Sequence, residues 1–304
     1  MNSYTVALNT EQVETLRGVL EEQDFEFSDK PHAIYSAKRG KLNVTVYEKG
    51  PKVLVQGKET EDFVKFTLEP QVLGEARLGY EEIHDPEQFE PHFGIDESGK
   101  GDFFGPLVIA GVFVDKTIAR SLIDSGIMDS KRITSAKRIR TLSTIIRETP
   151  GCKWDMVSLG PERYNDMQAK FRNINSMLAW GHARVIEKLH LAVPSCPRAL
   201  SDQFARPELL QNALKKQGIS IKLDQRTKGE SDVAVAAASI LARERFVDWM
   251  EKTSAASGID LPFGASDAVI EAGKQLIEAH GEEALTRVAK MHFRTAKLVK
   301  GEDS

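Results

Sequence analysis

Two adjacent carboxylates followed at once by glycines carry the clearest chemical meaning in this chain. The stretch Gly94-Ile95-Asp96-Glu97-Ser98-Gly99-Lys100-Gly101-Asp102-Phe103-Phe104-Gly105-Pro106 ends a short apolar run with two acids and then turns. Oxygen ligands grouped in this way suit hard divalent cations, with phosphates arriving on the substrate. Gly94-x4-Gly99-Lys100 also imitates a phosphate-binding P-loop. Gly101, however, stands where that loop needs a Ser or Thr for magnesium, and Asp96 and Glu97 would sit inside the cradle of a polyanion. The P-loop reading is set aside.

Two more acids occupy positions from which they can join the pair. Asp202 closes the run Ala199-Leu200-Ser201, and Glu230 in Lys228-Gly229-Glu230-Ser231 precedes the Ala-rich stretch Ala234 to Arg243. Ligands gather beyond strand ends and at helix starts, so Asp96, Glu97, Asp202 and Glu230 can converge although far apart in sequence. The plainer alternatives are a turn or cap for Asp202 and a helix-dipole partner for Glu230.

The elements that must position these residues fall into two regions. Residues 1–80 read as a small unit. Thr10 is a candidate cap for a helix carrying Val13, Leu16, Val19 and Leu20, and strand-like runs follow at His32 to Lys38, Lys41 to Glu48 and Lys52 to Gln56. Arg39-Gly40 and Lys49-Gly50-Pro51 separate these runs, which predicts a three-strand meander with one polar face carrying Tyr35 and Tyr47. A second helix follows Thr60 and is expected to be interrupted at Pro70. Residues 81–92 read as a linker.

From Phe93 to the end, strands and helices alternate, predicting an α/β layer architecture. Strands are expected at Phe93 to Ile95, Leu107 to Val114, Lys153 to Leu159, Arg198 to Ser201 and Ile219 to Leu223. Helices are expected at Ser135 to Arg147, Pro161 to Leu191, Pro207 to Gln217 and Asp232 to Met250, with shorter ones at Asp267 to Ala279 and Glu282 to Lys290.

With 41% hydrophobic and 28% charged residues, the 304-residue chain is neither disordered nor low in complexity. Its longest apolar runs, such as Val233 to Leu241, fall well short of the roughly 18 residues that a bilayer span needs. Met1-Asn2-Ser3 opens no signal peptide, so a cytoplasmic location without membrane attachment is expected. Cys152 and Cys196 are the only thiols, which excludes a disulfide framework and a four-cysteine zinc site. A net charge of -4 gives no global pull toward nucleic acid. Between Lys38 and Lys58, though, Lys38, Arg39, Lys41, Lys49, Lys52 and Lys58 face Glu48 alone, a local patch fit for phosphates.

Five motifs in order resemble bacterial ribonuclease HIII over nearly the whole chain. They are Gly94 to Gly101, Asp129-Ser130-Lys131, Tyr164-Asn165 with Asn173-Ile174-Asn175, Ser201-Asp202, and Lys228-Gly229-Glu230-Ser231 leading into Ala236-Ala237-Ala238-Ser239-Ile240. The resemblance implies a ribonuclease H-like catalytic domain over 93–304, with a central mixed sheet flanked by helices and C-terminal helices. It also implies a small α+β domain resembling the TATA-binding-protein fold over 1–80, which binds substrate. The activity implied is cleavage of the RNA strand of RNA-DNA hybrids by two magnesium or manganese ions held by Asp96, Glu97, Asp202 and Glu230. Gly99, Lys100, Gly101, Lys131, Tyr164, Asn173 and Asn175 are then expected near substrate, as are Lys38, Arg39, Lys41 and Tyr47 on the N-terminal domain. No protein partner is implied, and a monomer is expected.

Glu230 lies one residue closer to Ser239 than is usual in that family, which makes Asp232 a rival for the fourth acid. The match of Lys-Gly-Glu-Ser favours Glu230 and leaves Asp232 as a helix cap. Asn175, Leu178 and His182 share a helix face, so packing competes with a substrate role there. His182 reads as a packing histidine rather than a general base. The competing functions are a type 2 ribonuclease H that cuts at single embedded ribonucleotides, and a non-catalytic nucleic-acid binder on a dead nuclease fold. A Glu at the fourth position and the extra domain argue against the first. Four intact acids argue against the second.

Overall fold

Val13, Leu16 and Leu20 recur at helical spacing and line the buried side of α1, Thr10–Glu22. Asn9, rather than Thr10, caps this helix. Asn9 Oδ1 accepts from Gln12 N at 2.8 Å and Gln12 Oε1 accepts from Asn9 N at 3.0 Å, a reciprocal pair that satisfies two free donors. The computed structural model describes residues 3–74, 86–127, 133, 135–226 and 229–302, the Glu230 side chain excepted. The chain divides into two units, Met1–Glu87 and Gln88–Ser304.

In the first unit the expected three-strand meander is the middle of a five-stranded antiparallel sheet. Its strands β1 (Ser3–Ala7), β2 (Glu26–Ser28), β3 (Ala33–Arg39), β4 (Leu42–Tyr47) and β5 (Lys52–Gln56) lie in the order β1-β5-β4-β3-β2. The two strands missing from the sequence reading are the edges β1 and β2. One face packs Val44, Val46, Val53 and Val55 beneath α1 and the helix α2, Thr60–Phe63. That helix continues through Val64–Leu73 in wide π-helical turns. Pro70 does not break it, because a residue without an N–H is tolerated where the ladder already departs from the α pattern.

Asn43 pairs with Lys38 and Gln56, and Tyr47 with Lys52, so these side chains share the face away from the helices. Tyr35 is on the other face. It pairs with Val46, is buried, and donates its hydroxyl to the Val13 carbonyl at 2.9 Å.

In the second unit, β6 (His92–Ser98), β7 (Leu107–Val114), β8 (Lys153–Leu159), β9 (Arg198–Asp202) and β10 (Lys222–Arg226) form a mixed sheet. The order is β10-β9-β6-β7-β8, with β10, β9 and β6 parallel and β7 and β8 antiparallel to their neighbours. Helices α3 (Lys116–Asp124) and α4 (Ala136–Glu148) lie between β7 and β8 in sequence, and α3 is an element absent from the sequence reading. The single helix expected over 161–191 is two, α5 (Pro161–Phe171) and α6 (Ile174–Ala192). They part at Arg172, whose φ of 55° is left-handed, and Asn173 caps the second. After β9 come α7 (Pro207–Lys216), then β10, a 3-10 turn Gly229–Ser231, and the long α8 (Val233–Ser257). The tail adds α9 (Asp267–His280), α10 (Glu282–Val288) and α11 (Arg294–Lys300), the last also missed.

The run of alanines at the start of α8 lets that helix lie directly on the central strand. A side chain at Gly94 would place its Cβ 2.2 Å from the Ala234 carbonyl carbon and 2.3 Å from Val235 N. Because both neighbours are helix backbone, Gly94→Ala must push α8 off β6, at an expected cost of about 3 kcal/mol. A urea titration reads this as a lower midpoint at unchanged slope. A native midpoint would mean that the contact is not close-packed.

Candidate metal centre

Successive residues of a strand point to opposite faces, and the last three of β6 use this to separate the two acids. Asp96 turns toward α8, where Ser239 hydrogen-bonds its carboxyl. Glu97 turns toward α6, where Glu97 Oε2 lies 3.1 Å from His182 Nε2, and Glu97 Oε1 accepts from Lys100 Nζ at 3.5 Å. His182 is fully buried, its ring 4.7 Å from that of Phe204, and its Nδ1 has no hydrogen-bond partner among the described residues. The packing role expected for His182 is therefore joined by a direct contact with a candidate ligand.

Opposite forces act on the two carboxyls. Burial, together with the charge of Glu97, pushes Asp96 up to about 6, against the Ser239 hydrogen bond. Burial would raise Glu97 too, but the His182 hydrogen bond and charge, with Lys100, hold it below the usual carboxylate range. The Lys100 ammonium also lies over the Phe204 ring, 5.9 Å from its centroid.

Ile95 pairs with Ser201 across parallel strands, so Asp96 and Asp202 are the next residues of each strand and leave on the same face. Asp202 Oδ1 accepts from Gly229 N at 3.1 Å, which ties the Gly229–Ser231 turn to the end of β9. A Cβ on Gly229 would lie 3.2 Å from Asp202 Cα, so the approach is close. Glu230 is the middle residue of that turn. Its rival Asp232 is occupied elsewhere: it caps α8 through Ala234 N and Val235 N at 2.9 and 3.2 Å, and both its oxygens lie 3.0 Å from His92 Nε2. Among the described residues no group of three His, Cys, Asp or Glu is already gathered as a cage. The fit to a cation rests instead on donor chemistry, which is all oxygen at two adjacent strand ends.

Gly99 has φ 86°, and a Cβ there would lie 2.1 Å from the Pro106 carbonyl oxygen. Gly101 is exposed and open on every side. The turn thus needs its first glycine for shape and leaves the second accessible. The other residues expected near substrate separate by role. Tyr164 is fully buried, its hydroxyl 3.5 Å from His292 Nε2. Asn173 caps α6 by accepting from Asn175 N at 2.8 Å, and Asn175 lies half-buried in the first turn. Asp129, Ser130, Lys131 and Lys228 lie outside the described residues. In the first unit Lys38, Lys41 and Tyr47 keep exposed or half-exposed positions, with Lys30 Nζ 5.7 Å from the Tyr47 ring. Arg39 does not share their face. It pairs with the buried Leu42, donates to the Gln23 carbonyl at 3.1 Å and covers the Phe25 ring at 4.7 Å.

A family model described as Ribonuclease HII matches residues 93–296, and a model described as a domain of unknown function, DUF3378, matches residues 5–72. Ribonuclease HIII of Protochlamydia amoebophila (strain UWE25) is 40% identical over 298 residues, covering 98% of this chain and 97% of its own length. The crystal structure of Bst-RNase HIII in complex with Mn2+ is similar at a TM-score of 0.68 and 29% identity, covering 98% of both chains. RNase HII from Archaeoglobus fulgidus, solved in complex with PCNA, is similar at a TM-score of 0.55 and 28% identity, over 67% of this chain and 95% of its own.

The Asp96 shift has a measurable consequence in the metal-free protein. A carboxyl whose pKa rises on folding contributes stability below its unfolded pKa and loses it as pH rises through about 6. In chelator, Asp96→Asn is therefore expected to be more stable than the native chain by about 1–3 kcal/mol near pH 7.5, the gap narrowing as pH falls through about 6 and closing only toward about pH 4. Urea midpoints at the two pH values check this. A gap that does not depend on pH would contradict the assignment.

Proposed function

Because the chain belongs to the ribonuclease HII family, on its ribonuclease HIII branch, we propose that it is a divalent-metal-dependent endonuclease that hydrolyses the RNA strand of RNA-DNA hybrids. The products are 3′-hydroxyl and 5′-phosphate ends. The observation that carries this reading is the register of β6 and β9, which puts Asp96 and Asp202 at neighbouring strand ends on one face, with the Gly229–Ser231 turn bonded to Asp202.

Asp96, Glu97, Asp202 and Glu230 would hold the metal, with Asp96 and Asp202 reaching it from one face of two neighbouring strands. Magnesium, with manganese as a substitute, suits an all-oxygen set, and two ions would supply neutralisation of the phosphate charge and acidification of the attacking water. Around that centre the chain's own groups hold the donors still. Ser239 orients Asp96, while His182 and Lys100 fix Glu97 in its ionised form. Water adds to phosphorus as the bond to the 3′-oxygen breaks, and that oxygen leaves with a proton.

Gly99, Lys100 and Gly101 would meet the nucleic-acid backbone, where the 2′-hydroxyl distinguishes RNA from DNA. Lys131 and Lys100 would pair with phosphates. Tyr164 and Asn173 would serve through packing and capping rather than by contact, and Asn175 lies near enough to the start of α6 to keep its substrate role. The first unit would add affinity without reading sequence, through Lys38, Lys41 and the stacking surface of Tyr47. The enzyme would act as a single chain. Among the described residues no helix is long and apolar enough to cross a membrane.

Labelled RNA-DNA hybrid, double-stranded DNA and single-stranded RNA, each offered magnesium, manganese or chelator, test the activity. Only the hybrid with metal should be cut. Asp96→Asn should bind hybrid with its affinity nearly unchanged but lose at least about a thousandfold in rate; an active variant would remove Asp96 from the centre. Replacing Lys38, Lys41 and Lys52 by Ala should weaken hybrid binding and reduce the salt slope of log K by about one unit per lysine. Arg39→Ala should instead lower stability and leave that slope alone, since its guanidinium is held against Gln23 and Phe25.

A further inference from the structure

Among the described residues of the second unit, one fully buried lysine lies outside the carboxylate cluster. Lys290, between α10 and α11, has no exposed surface, although an isolated ammonium is expensive to bury. Its Nζ donates to the Asp102 carbonyl at 2.8 Å and to the Phe104 carbonyl at 3.2 Å. Its own backbone N donates to the Phe103 carbonyl at 2.8 Å. Three consecutive carbonyls, immediately after the Gly99-Lys100-Gly101 turn, thus converge on one residue.

The surroundings strengthen that grip. The rings of Tyr164 and Phe246 lie 5.7 and 5.9 Å from Nζ and keep water away. Asn165 holds the segment carrying Lys290: its Nδ2 donates to the Thr286 and Ala289 carbonyls, and its Oδ1 accepts from Met291 N at 2.9 Å. Phe103 N donates to the Gly264 carbonyl at 2.9 Å, Gly264 N to Asp102 Oδ1 at 2.7 Å, and Gly105 N to the Val288 carbonyl at 2.9 Å. Burial pushes the Lys290 ammonium down to about 7, while the Asp102 charge works the other way. A Leu or Met would pack in this space at less desolvation cost, but would supply no donor to the two carbonyls.

We infer that Lys290 is a positioning residue for substrate binding: its ammonium locks the backbone of residues 102–104 and so fixes the shape that the Gly99–Gly101 turn presents to the hybrid. This rests on the reading of that turn as a nucleic-acid contact. It separates Lys290 from the metal centre, so its loss weakens hybrid binding and spares the chemical step.

Lys290→Met and Lys290→Gln test this in the full chain, through steady-state cleavage of hybrid with manganese and hydrogen exchange of peptides covering residues 99–105. Lys290→Met should raise the hybrid KM roughly tenfold and speed exchange in those peptides, with kcat and the manganese concentration for half-activation within about twofold of native. Lys290→Gln keeps donors on a shorter stem and should raise KM about threefold, which also serves if the Met variant does not fold. Native KM and native exchange in either variant overturn the inference. So does a joint fall of KM performance, kcat and manganese activation in step with the melting temperature. Failure of the native chain to cut hybrid would instead remove the nuclease reading, and the exchange of residues 99–105 would still decide whether Lys290 holds the turn.

Discussion

Neighbouring carboxylates repel each other most where water is scarce, and the end of β6 is built around that repulsion. Strand alternation is the first remedy, since it sends Asp96 and Glu97 to opposite faces. The second is unequal support. Glu97 meets His182 and Lys100 and is held below the usual carboxylate range, whereas burial and the charge of Glu97 push Asp96 up to about 6 against the Ser239 hydroxyl and the Glu97 N–H. The pair is therefore one well-supported anion beside one acid whose charge is only partly compensated within the protein. A divalent cation held there would supply the rest of that compensation and displace whatever proton Asp96 retains.

This arrangement is largely visible in the sequence because it is local. Gly94 to Gly101 places acids and glycines by chain order alone, and the Ala-rich start of α8 announces a helix able to approach a sheet closely. The long-range contacts are invisible there. Tyr35 and Arg39 sit in a basic, polar stretch and read as surface, yet a single-residue alternation puts one in the core against Val46 and turns the other over Phe25. The irregularity between Ala33 and Tyr35 in the β3–β4 pairing has no sequence marker. Tyr164 groups with substrate contacts through its motif, but its ring fills the interior. Pro70 misleads because the rule against proline presumes an α ladder, and Val64–Leu73 does not keep one.

Several polar residues close to the motifs have structural roles that their types conceal. Asp232 is two positions from Glu230 and chemically interchangeable with a ligand. Its oxygens already meet two backbone N–H groups and His92 Nε2, and it is buried, so little acceptor capacity or room remains for a cation. Asn173 commits its oxygen to Asn175 N, and Asn165 clamps the backbone around Ala289. The candidate ligands are the reverse case. Asp96 and Asp202 retain acceptor sites toward a strand-end corner that no basic residue of their own strands fills.

A backbone turn that recognises a ligand through its N–H groups has no side-chain length with which to correct an error of position, so its stiffness has to come from elsewhere. Glycine supplies the opposite of stiffness. In this chain the looseness of Gly99 and Gly101 is offset by the residues next in the chain: Phe103 and Phe104 are fully buried, and their carbonyls and that of Asp102 are drawn onto Lys290. Val288, Ala289 and Gly264 hold the same segment through further backbone contacts. The C-terminal helices, which contribute none of the four candidate ligands, would thereby support the turn proposed to meet the substrate. A nuclease that reads sugar chemistry rather than base sequence needs this kind of support, because its selectivity depends on where a backbone amide stands relative to a hydroxyl.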